Sequence, residues 1–479
     1  MADRPDRPGP SGHPDRPAAP VRLRADDLEW LLALMDTASV SPLEGGDPAG
    51  TAAAQRVVAQ GATARGFTTR RLDQPPVEHL ASAVTPLPVL RAAADPAFLA
   101  GQPSLVLGFG EAAPEHRRLV VNFHVDTVGP HLPPRLDGRV LHGRGAVDDK
   151  GPGVAAAVGI AAAYAEAPWL AHTVEARLQS VPGEEGGAMG VYGTRWLVER
   201  GETGRLMLFA EPTGLRVLDA CSATMTPVLR VTGADATDDH PGDGHNATLA
   251  LGFLACHLGG ELDRLTRGTG AKVCVAGVHT GTAHNRVYGT GELLLNIAYF
   301  DTATGRRLAA EVDRLAAEAG KAFADRFHGT ALAGRTAADW DRVVGVEWRK
   351  RGLPALANRD AAMEALLARC GLPRHDGVAD GTAFTCDAIW AAGPGRYAAV
   401  CGPGSLDGNG AHTPHEHVRL DDLDAYATRV RDLVLAFGEH IRTREPDRTP
   451  GPDRTYDLDR THDLGRARER GRHARADEQ

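Results

Sequence analysis

The chain has 479 residues, 42% of them apolar, a formal net charge of −9 and a sequence pI of about 6.1. This length favours two or more folding units, and the acidic balance excludes a globally basic surface for nucleic acid or anionic lipid. We therefore expect a small-molecule substrate as the partner, with no nucleic acid and no membrane.

The cysteines and the two ends of the chain indicate a cytoplasmic protein. The six cysteines are scattered without a Cys-x-x-Cys pair, which fits a reducing compartment. Residues 1–22 are charged and proline-rich, so they lack the apolar core of a signal peptide, and no window of the sequence approaches a membrane span. We expect residues 1–22 and the charged tail 441–479 to be disordered.

Between residues 23 and 224, apolar runs of strand length alternate with helical patterns. The predicted elements are helix 26–37, strand 118–123, helix 151–166, strand 175–181 and strand 206–210. This order predicts an α/β fold, in which helices cover a mostly parallel sheet.

Residues 225–350 have a different pattern, with paired strands around two helices, one of them near 303–324. This pattern predicts an inserted α+β domain. Residues 351–440 return to a strand and a terminal helix near 420–439. The first domain is therefore predicted to be discontinuous, with residues 23–224 and 351–440 as its two parts.

Histidine and acidic residues follow the predicted strands, at the edge where ligands collect in parallel sheets. His124 follows the first strand, and Asp126 is expected to accept the far N–H of its imidazole. Glu184 and Glu185 follow the second strand, and Glu211 ends the third. Adjacent acids repel each other unless one binds a cation, so one can ligate a metal while its neighbour acts as a general base.

Each of these features alone has a simpler explanation. His124 and Asp126 can form a surface pair, Asp148 or Asp149 can cap the helix that follows, and Glu184 with Glu185 can form an exposed acidic turn. Together with His412, in a histidine-rich loop, the set matches the nitrogen and oxygen ligands of zinc. The set therefore predicts a metal site, which no single motif does.

These motifs, in this order, resemble the zinc metallohydrolase family of acetylornithine deacetylase, succinyl-diaminopimelate desuccinylase, aminoacylase and glutamate carboxypeptidases. The resemblance extends from about residue 26 to 440 and looks closest to the acetylornithine deacetylase branch. Its other motifs are Ala38-Ser39-Val40-Ser41-Pro42, Glu211-Pro212-Thr213, Asn285-Arg286, and Gly402-Pro403-Gly404-Ser405 with His412 and Glu416. It implies a hydrolase that cleaves an amide bond in an N-acylated amino acid or short peptide.

The resemblance also implies a cofactor of two Zn²⁺ ions per chain, with Co²⁺ or Mn²⁺ as alternatives. Asp148 would bridge the two ions, and Glu184 would be the general base. The implied metal ligands are His124, Asp148 and Glu211 at one ion, and Asp148, Glu185 and His412 at the other.

The inserted segment 225–350 resembles the family's lid, which implies a homodimer formed through it. Two positions depart from the family pattern. Thr237 stands where the family has a histidine that stabilises the oxyanion from the neighbouring subunit, and Ala298 stands where an arginine helps to bind a substrate carboxylate. His240 is a candidate replacement for the histidine. Asn285 with Arg286, or His284 in place of Arg286, is expected to contact the substrate.

These departures leave two alternatives to hydrolysis open. One is a different reaction at the same metals, such as acyl transfer or amide condensation. The other is a metal-bearing protein without catalytic activity. The presence of Glu184, which a silent protein does not need, favours hydrolysis.

Overall fold

The computed structural model describes residues 19–444. Its α-helices within these residues are α1 (Ala25–Asp36), α2 (Pro48–Thr63), α3 (Leu87–Ala92), α4 (Pro96–Ala100), α5 (Lys150–Glu166), α6 (Leu170–Thr173), α7 (Thr194–Glu199), α8 (Ala247–Thr266), α9 (Thr302–Phe327), α10 (Gly334–Ala338), α11 (Trp340–Val343), α12 (Ala361–Arg369) and α13 (Leu420–Arg444). No helix in this range is both long and apolar enough to cross a bilayer.

The strands in the same range are β1 (Thr68–Asp73), β2 (Ser104–Phe109), β3 (Arg118–His124), β4 (Arg135–Asp137), β5 (Val140–His142), β6 (Glu175–Val181), β7 (Leu206–Pro212), β8 (Val217–Leu218), β9 (Ala220–Cys221), β10 (Ala223–Thr232), β11 (Ala236–Thr237), β12 (Lys272–His279), β13 (Arg286–Val287), β14 (Thr290–Tyr299), β15 (Val344–Lys350), β16 (Leu356–Ala357), β17 (Arg374–His375), β18 (Tyr397–Gly402) and β19 (His417–Arg419).

The larger sheet has eight strands in the order β1-β2-β6-β3-β7-β18-β8-β17. Its centre is parallel, because β3 pairs in parallel with both β6 and β7, and β7 with β18. These central strands are buried on both faces. The predicted α/β fold with a mostly parallel, helix-covered sheet is therefore confirmed.

Helices α5 and α13 pack against each other on one face of this sheet. A Cβ atom placed at Gly159 would lie 2.4 Å from the Ala427 carbonyl oxygen, so only glycine permits this approach of the two backbones. At the start of α5, a Cβ atom placed at Gly153 would lie 2.4 Å from the Phe123 ring of β3, so this end of the helix packs closely on the sheet.

A second sheet of four antiparallel strands has the order β12-β14-β10-β15 and lies within residues 223–350. Helices α8 and α9 pack on one face of it, through apolar side chains such as Leu251, Leu293 and Val312. We call the unit formed by this sheet and these helices the lid.

The expected disorder is wrong for residues 19–22 and 441–444, the parts of the two terminal segments that the structure describes. The Val21 backbone N–H donates to the Thr428 hydroxyl at 2.9 Å, and Arg431 donates to the Ala19 carbonyl at 2.6 Å, so residues 19–22 lie against α13. Helix α13 continues to Arg444, because Ile441 is buried in the core. The remainder of the predicted disordered segments, residues 1–18 and 445–479, lies outside the described residues.

Candidate metal centre

The predicted ligands meet at the carboxyl edge of the larger sheet. His124 is the last residue of β3, Glu211 is the penultimate residue of β7, and Glu185 follows β6. These three strands are neighbours in the sheet, so their carboxyl ends lie side by side. Asp148 precedes α5, and His412 lies in the loop between β18 and β19.

Asp148 lies at the centre of this group, between two imidazoles. Its Oδ1 is 2.8 Å from the His124 Nε2, and its Oδ2 is 3.0 Å from the His412 Nε2. The two carboxylate oxygens therefore face two different histidines, which is the arrangement that a carboxylate shared by two cations requires.

Each imidazole has a second carboxylate beside it. The His124 Nε2 is 3.8 Å from Glu211 Oε1, and the His412 Nε2 is 3.1 Å from Glu185 Oε1. The His412 side chain is 51% exposed, whereas the other four side chains are at most 8% exposed. The group is therefore a buried cluster that opens to solvent beside His412.

Without a cation, burial and neighbouring negative charges destabilise the ionised forms of the acids in this cluster. Burial, followed by the charge of Glu185, raises the pKa of Glu184 well above its usual value, and burial raises the pKa of Glu185. Burial, followed by the charge of Asp148, also raises the pKa of Glu211. Cations in this cluster would remove the repulsion and keep all these groups ionised.

The donor set fits metal ions. Three groups of side chains hold ligand atoms within 4.8 Å of one another: His124 with Asp149 and Glu211, His124 with Glu184 and Glu185, and Asp148 with Glu185 and His412.

Both carboxylate oxygens of Asp149 are buried without a hydrogen-bond partner. Asp149 is the N-cap residue of α5, yet its side chain makes no capping hydrogen bond. The simpler explanation of this turn as a helix cap therefore does not apply to Asp149.

The predicted hydrogen bond from the His124 imidazole to the Asp126 carboxylate is wrong, because the imidazole contacts the backbone of Asp126 instead. The His124 Nδ1 lies 2.8 Å from the backbone carbonyl of Asp126, while the Asp126 carboxylate is 3.9 Å away. That carboxylate instead accepts the backbone N–H groups of Glu184 and Glu185 at 3.4 and 3.2 Å. The Asp126 carboxylate therefore positions the turn that carries both acids, and the Asp126 backbone carbonyl orients the His124 imidazole.

An ion pair between Arg144 and Glu416, which was not predicted from the sequence, joins two loops of the site. The Arg144 guanidinium, 1% exposed, donates to Glu416 Oε2 at 2.5 Å. Glu416 Oε1 accepts the backbone N–H groups of Gly145 and Val147 at 2.9 and 3.3 Å. The pair thus connects the turn that carries Asp148 to the loop segment that follows His412.

We expect Glu416→Gln to lower the free energy of unfolding by about 3 kcal/mol, because it leaves the buried Arg144 charge without its partner. Urea unfolding in the presence of a chelator, which removes any metal contribution, measures the change. Asp137→Asn is the control, since the Arg135–Asp137 pair is exposed and its loss should change stability by less than about 0.5 kcal/mol. Equal effects of the two substitutions would contradict this account of the buried pair.

The predicted substrate contacts lie in the lid. Thr237 pairs with Arg286 in a two-stranded sheet, and the Arg286 guanidinium forms an ion pair with Asp235. His240 is exposed and lies three residues after β11, and Asn285 is the residue before β13. Within residues 19–444, these side chains do not belong to the carboxylate cluster. Their roles toward a substrate stay predictions.

The sequence of the chain is similar to those of known hydrolases. Residues 120–436 match the sequence profile of peptidase family M20/M25/M40. A LysW-lysine/LysW-ornithine hydrolase of Aeropyrum pernix is 32% identical over 177 residues, which is 37% of this chain and 46% of that protein. The succinyl-diaminopimelate desuccinylase of Xanthomonas euvesicatoria is 27% identical over 86% of this chain and 98% of its own length.

Solved structures share the fold at low identity. A tripeptidase from Staphylococcus aureus superposes with a TM-score of 0.60 at 15% identity, covering 86% of this chain and 98% of its own. An M20 family metallo-carboxypeptidase from Sulfolobus solfataricus gives 0.59 at 13% identity, covering 87% and 100%. The profile match over residues 120–436 shows that the chain belongs to peptidase family M20/M25/M40, and it is a hydrolase of amide bonds.

Proposed function

We propose that the protein is a zinc-dependent amidohydrolase that releases an amine from an N-acylated amino acid or a short peptide. The observation that carries this proposal is the position of Asp148, whose two oxygens face His124 and His412. The residues that hold the metal are His124, Asp148, Glu185, Glu211 and His412. When bound, two ions in this site supply a Lewis acid for the amide carbonyl and lower the pKa of the attacking water.

Glu184 is the general base of the proposed reaction. It is half-buried beside the ligand Glu185, and Asp126 holds the backbone of both residues. Glu184 takes a proton from the attacking water and returns it to the leaving nitrogen, so water supplies the hydroxyl of the acid product and the proton of the amine.

The proposed substrate is small. A cavity of about 290 Å³ is lined by Pro212 and Thr213, the two residues that follow Glu211 in sequence, and by Phe384 and Ser405 among others. This volume is at the lower end of pockets that bury small ligands. The similarity to a desuccinylase over 86% of the chain supports an acylated amino compound.

Amine release from a panel of N-acetyl and N-succinyl amino acids and dipeptides tests the proposal, with products identified by mass spectrometry. Release of the free amine by the wild type, and not by Glu184→Gln, is the expected result. Bound metal without amine release from any compound would contradict hydrolysis, and it would favour acyl transfer, condensation or a silent protein.

We also propose that the protein forms a homodimer through the lid. Strand β12 is an edge of the lid sheet, and its Val275 and Val278 side chains are 45% and 42% exposed. An apolar edge strand of this kind pairs readily with another copy. We expect Val275→Lys to convert the dimer into a monomer in sedimentation experiments, and a wild type that sediments as a monomer would contradict the proposal.

A further inference from the structure

Two buried cysteines are in contact near the point where the lid joins the rest of the chain. The Cys221 Sγ is 3.6 Å from the Cys386 Sγ, and each residue is 1% exposed. They are 165 positions apart in sequence, so the fold alone brings them together, and both are free thiols. A buried cysteine commonly packs as a small apolar side chain. Here the neighbour of each sulfur is a second thiol, which makes a disulfide possible.

Cys221 lies in one of the two connections between the lid and the domain of the larger sheet. It is the last residue of β9, and the first lid strand, β10, begins two residues later. Strand β9 pairs with β16, which follows the last lid strand, and Cys221 lies opposite Leu356 in this pairing. The two connections therefore run side by side, and Cys221 lies where a movement of the lid would bend the chain.

Cys386 lies in a loop that contacts the segment after β6, which carries the acidic pair of the metal centre. The next residue, Asp387, accepts a hydrogen bond from the Thr194 hydroxyl at 2.7 Å. The Trp390 indole N–H donates to the Met189 backbone carbonyl at 2.6 Å. Cys386 is therefore anchored to the domain of the larger sheet, beside the metal centre.

Hydrogen bonds hold the lid connection against this loop. The Ser222 backbone N–H donates to the Phe384 carbonyl at 3.0 Å, and the hydroxyl groups of Ser222 and Thr385 are 2.6 Å apart. These bonds join the residues next to the two cysteines, so they fix the two sulfurs beside each other. A bond between the sulfurs would add a covalent link between the lid connection and the other domain.

We infer that hydrogen peroxide oxidises Cys221 and Cys386 to a reversible disulfide that restrains the lid. One thiolate attacks the peroxide, which breaks the O–O bond and gives a sulfenic acid and one water after proton transfer. The second thiol attacks this sulfur and displaces the hydroxyl group as another water. Two thiols thus give up two electrons and two protons to one peroxide.

The surroundings of the pair set the conditions for this reaction. Hydrogen peroxide is small and neutral, so it suits a pair that is closed to larger oxidants. Burial raises the pKa of Cys386 well above its usual value, so the protonated thiol predominates at neutral pH and the oxidation is slow. In a reducing compartment, disulfides are transient and serve catalysis or redox sensing. The pair therefore fits a response to sustained peroxide.

Peptide mass spectrometry tests the bond itself. The protein carrying Cys256→Ser and Cys274→Ser, which removes the two exposed thiols, would be oxidised with hydrogen peroxide and then denatured and alkylated. We expect a peptide that joins Cys221 to Cys386 and disappears with dithiothreitol, while the other two buried cysteines stay alkylated as thiols. If Cys221 and Cys386 remain thiols at peroxide concentrations that oxidise the exposed cysteines of the wild type, the inference is wrong.

Hydrogen exchange measures the restraint of the lid without turnover. We expect the amides of the two connections, residues 221–226 and 350–356, to exchange several-fold more slowly in the oxidised protein than in the reduced one. Cys386→Ser is the matched control, because serine is similar in size and forms no disulfide, so peroxide should leave its exchange unchanged. A disulfide that forms without slowing exchange in either connection would overturn the restraint.

Amine release shows whether the restraint acts on turnover. The oxidised protein should release amine several-fold more slowly, because a restrained domain opens and closes less often, and dithiothreitol should restore the rate. Equal inhibition of Cys386→Ser by peroxide would place the effect at another residue and overturn this role. The bond and the exchange rates do not depend on the proposed function. A disulfide with slower exchange in a protein that releases no amine would support the restraint and contradict only that function.

Discussion

Glu184→Gln is expected to reduce kcat on the order of 10²- to 10⁴-fold while the metal content stays at the wild-type value. The substitution keeps the size of the side chain but removes the base that accepts the proton of water. The five proposed ligands are unchanged, and the backbone N–H groups that Asp126 accepts remain in place. Steady-state kinetics and elemental analysis on the same preparations measure the two quantities.

Glu111→Gln is the matched control, because Glu111 lies at the surface and its ion pair within residues 19–444 is with the exposed His172. We expect its activity to equal that of the wild type. If Glu184→Gln retained activity within several-fold, another group would have to move the proton, and the assignment of Glu184 would be wrong. If it lost both activity and metal, Glu184 would be a ligand instead of a base.

Asp148→Asn is expected to remove both the metal and the activity. The two oxygens of Asp148 lie within 3.0 Å of the two different imidazoles, so its loss affects both ion positions. The amide of asparagine is neutral and offers a single oxygen. The loss of activity should exceed the 10- to 100-fold effect that is typical of residues that only support a ligand.

The neighbouring Asp149 provides the matched control for Asp148→Asn. Asp149 is equally buried, is adjacent in sequence, and lies within 4.8 Å of ligand atoms of His124 and Glu211. Because Asp149 belongs to the group with His124 and Glu211, we expect Asp149→Asn to leave the metal beside Glu185 and His412 in place, as measured by elemental analysis. Loss of the metal in Asp149→Asn, together with its retention in Asp148→Asn, would exchange the roles of the two residues.

The elements that carry the cluster follow from local sequence. Strands β3 and β7 are mostly apolar, whereas β6 also contains polar and charged residues. His124 ends β3, the Glu184-Glu185 pair follows β6, and Glu211 is near the end of β7, and parallel strands bring such ends together. The predicted strand 175–181 and helices 151–166 and 303–324 agree with β6, α5 and α9 within three residues.

Contacts set by distant parts of the chain could not be predicted in the same way. Arg144 and Glu416 are separated by 272 residues, and neither residue type indicates its partner. One extra residue in β15 turns the Lys350 side chain to the opposite face of the sheet from the one that regular alternation along the strand predicts. No elements were predicted between residues 38 and 117. The exposed strand β1 lacks an apolar run, whereas β2 is an apolar run whose signal was present in the sequence and was missed.

The dependence of amine release on bound metal is decided by measuring both quantities on the same protein. The wild-type protein would be dialysed against a chelator and resupplied with zinc, with metal content and amine release followed at each step. We expect about two ions per chain, loss of amine release with the metal, and recovery of both on addition of zinc. A purified protein that binds no metal, or that releases amine equally well without it, would contradict the proposed metal centre.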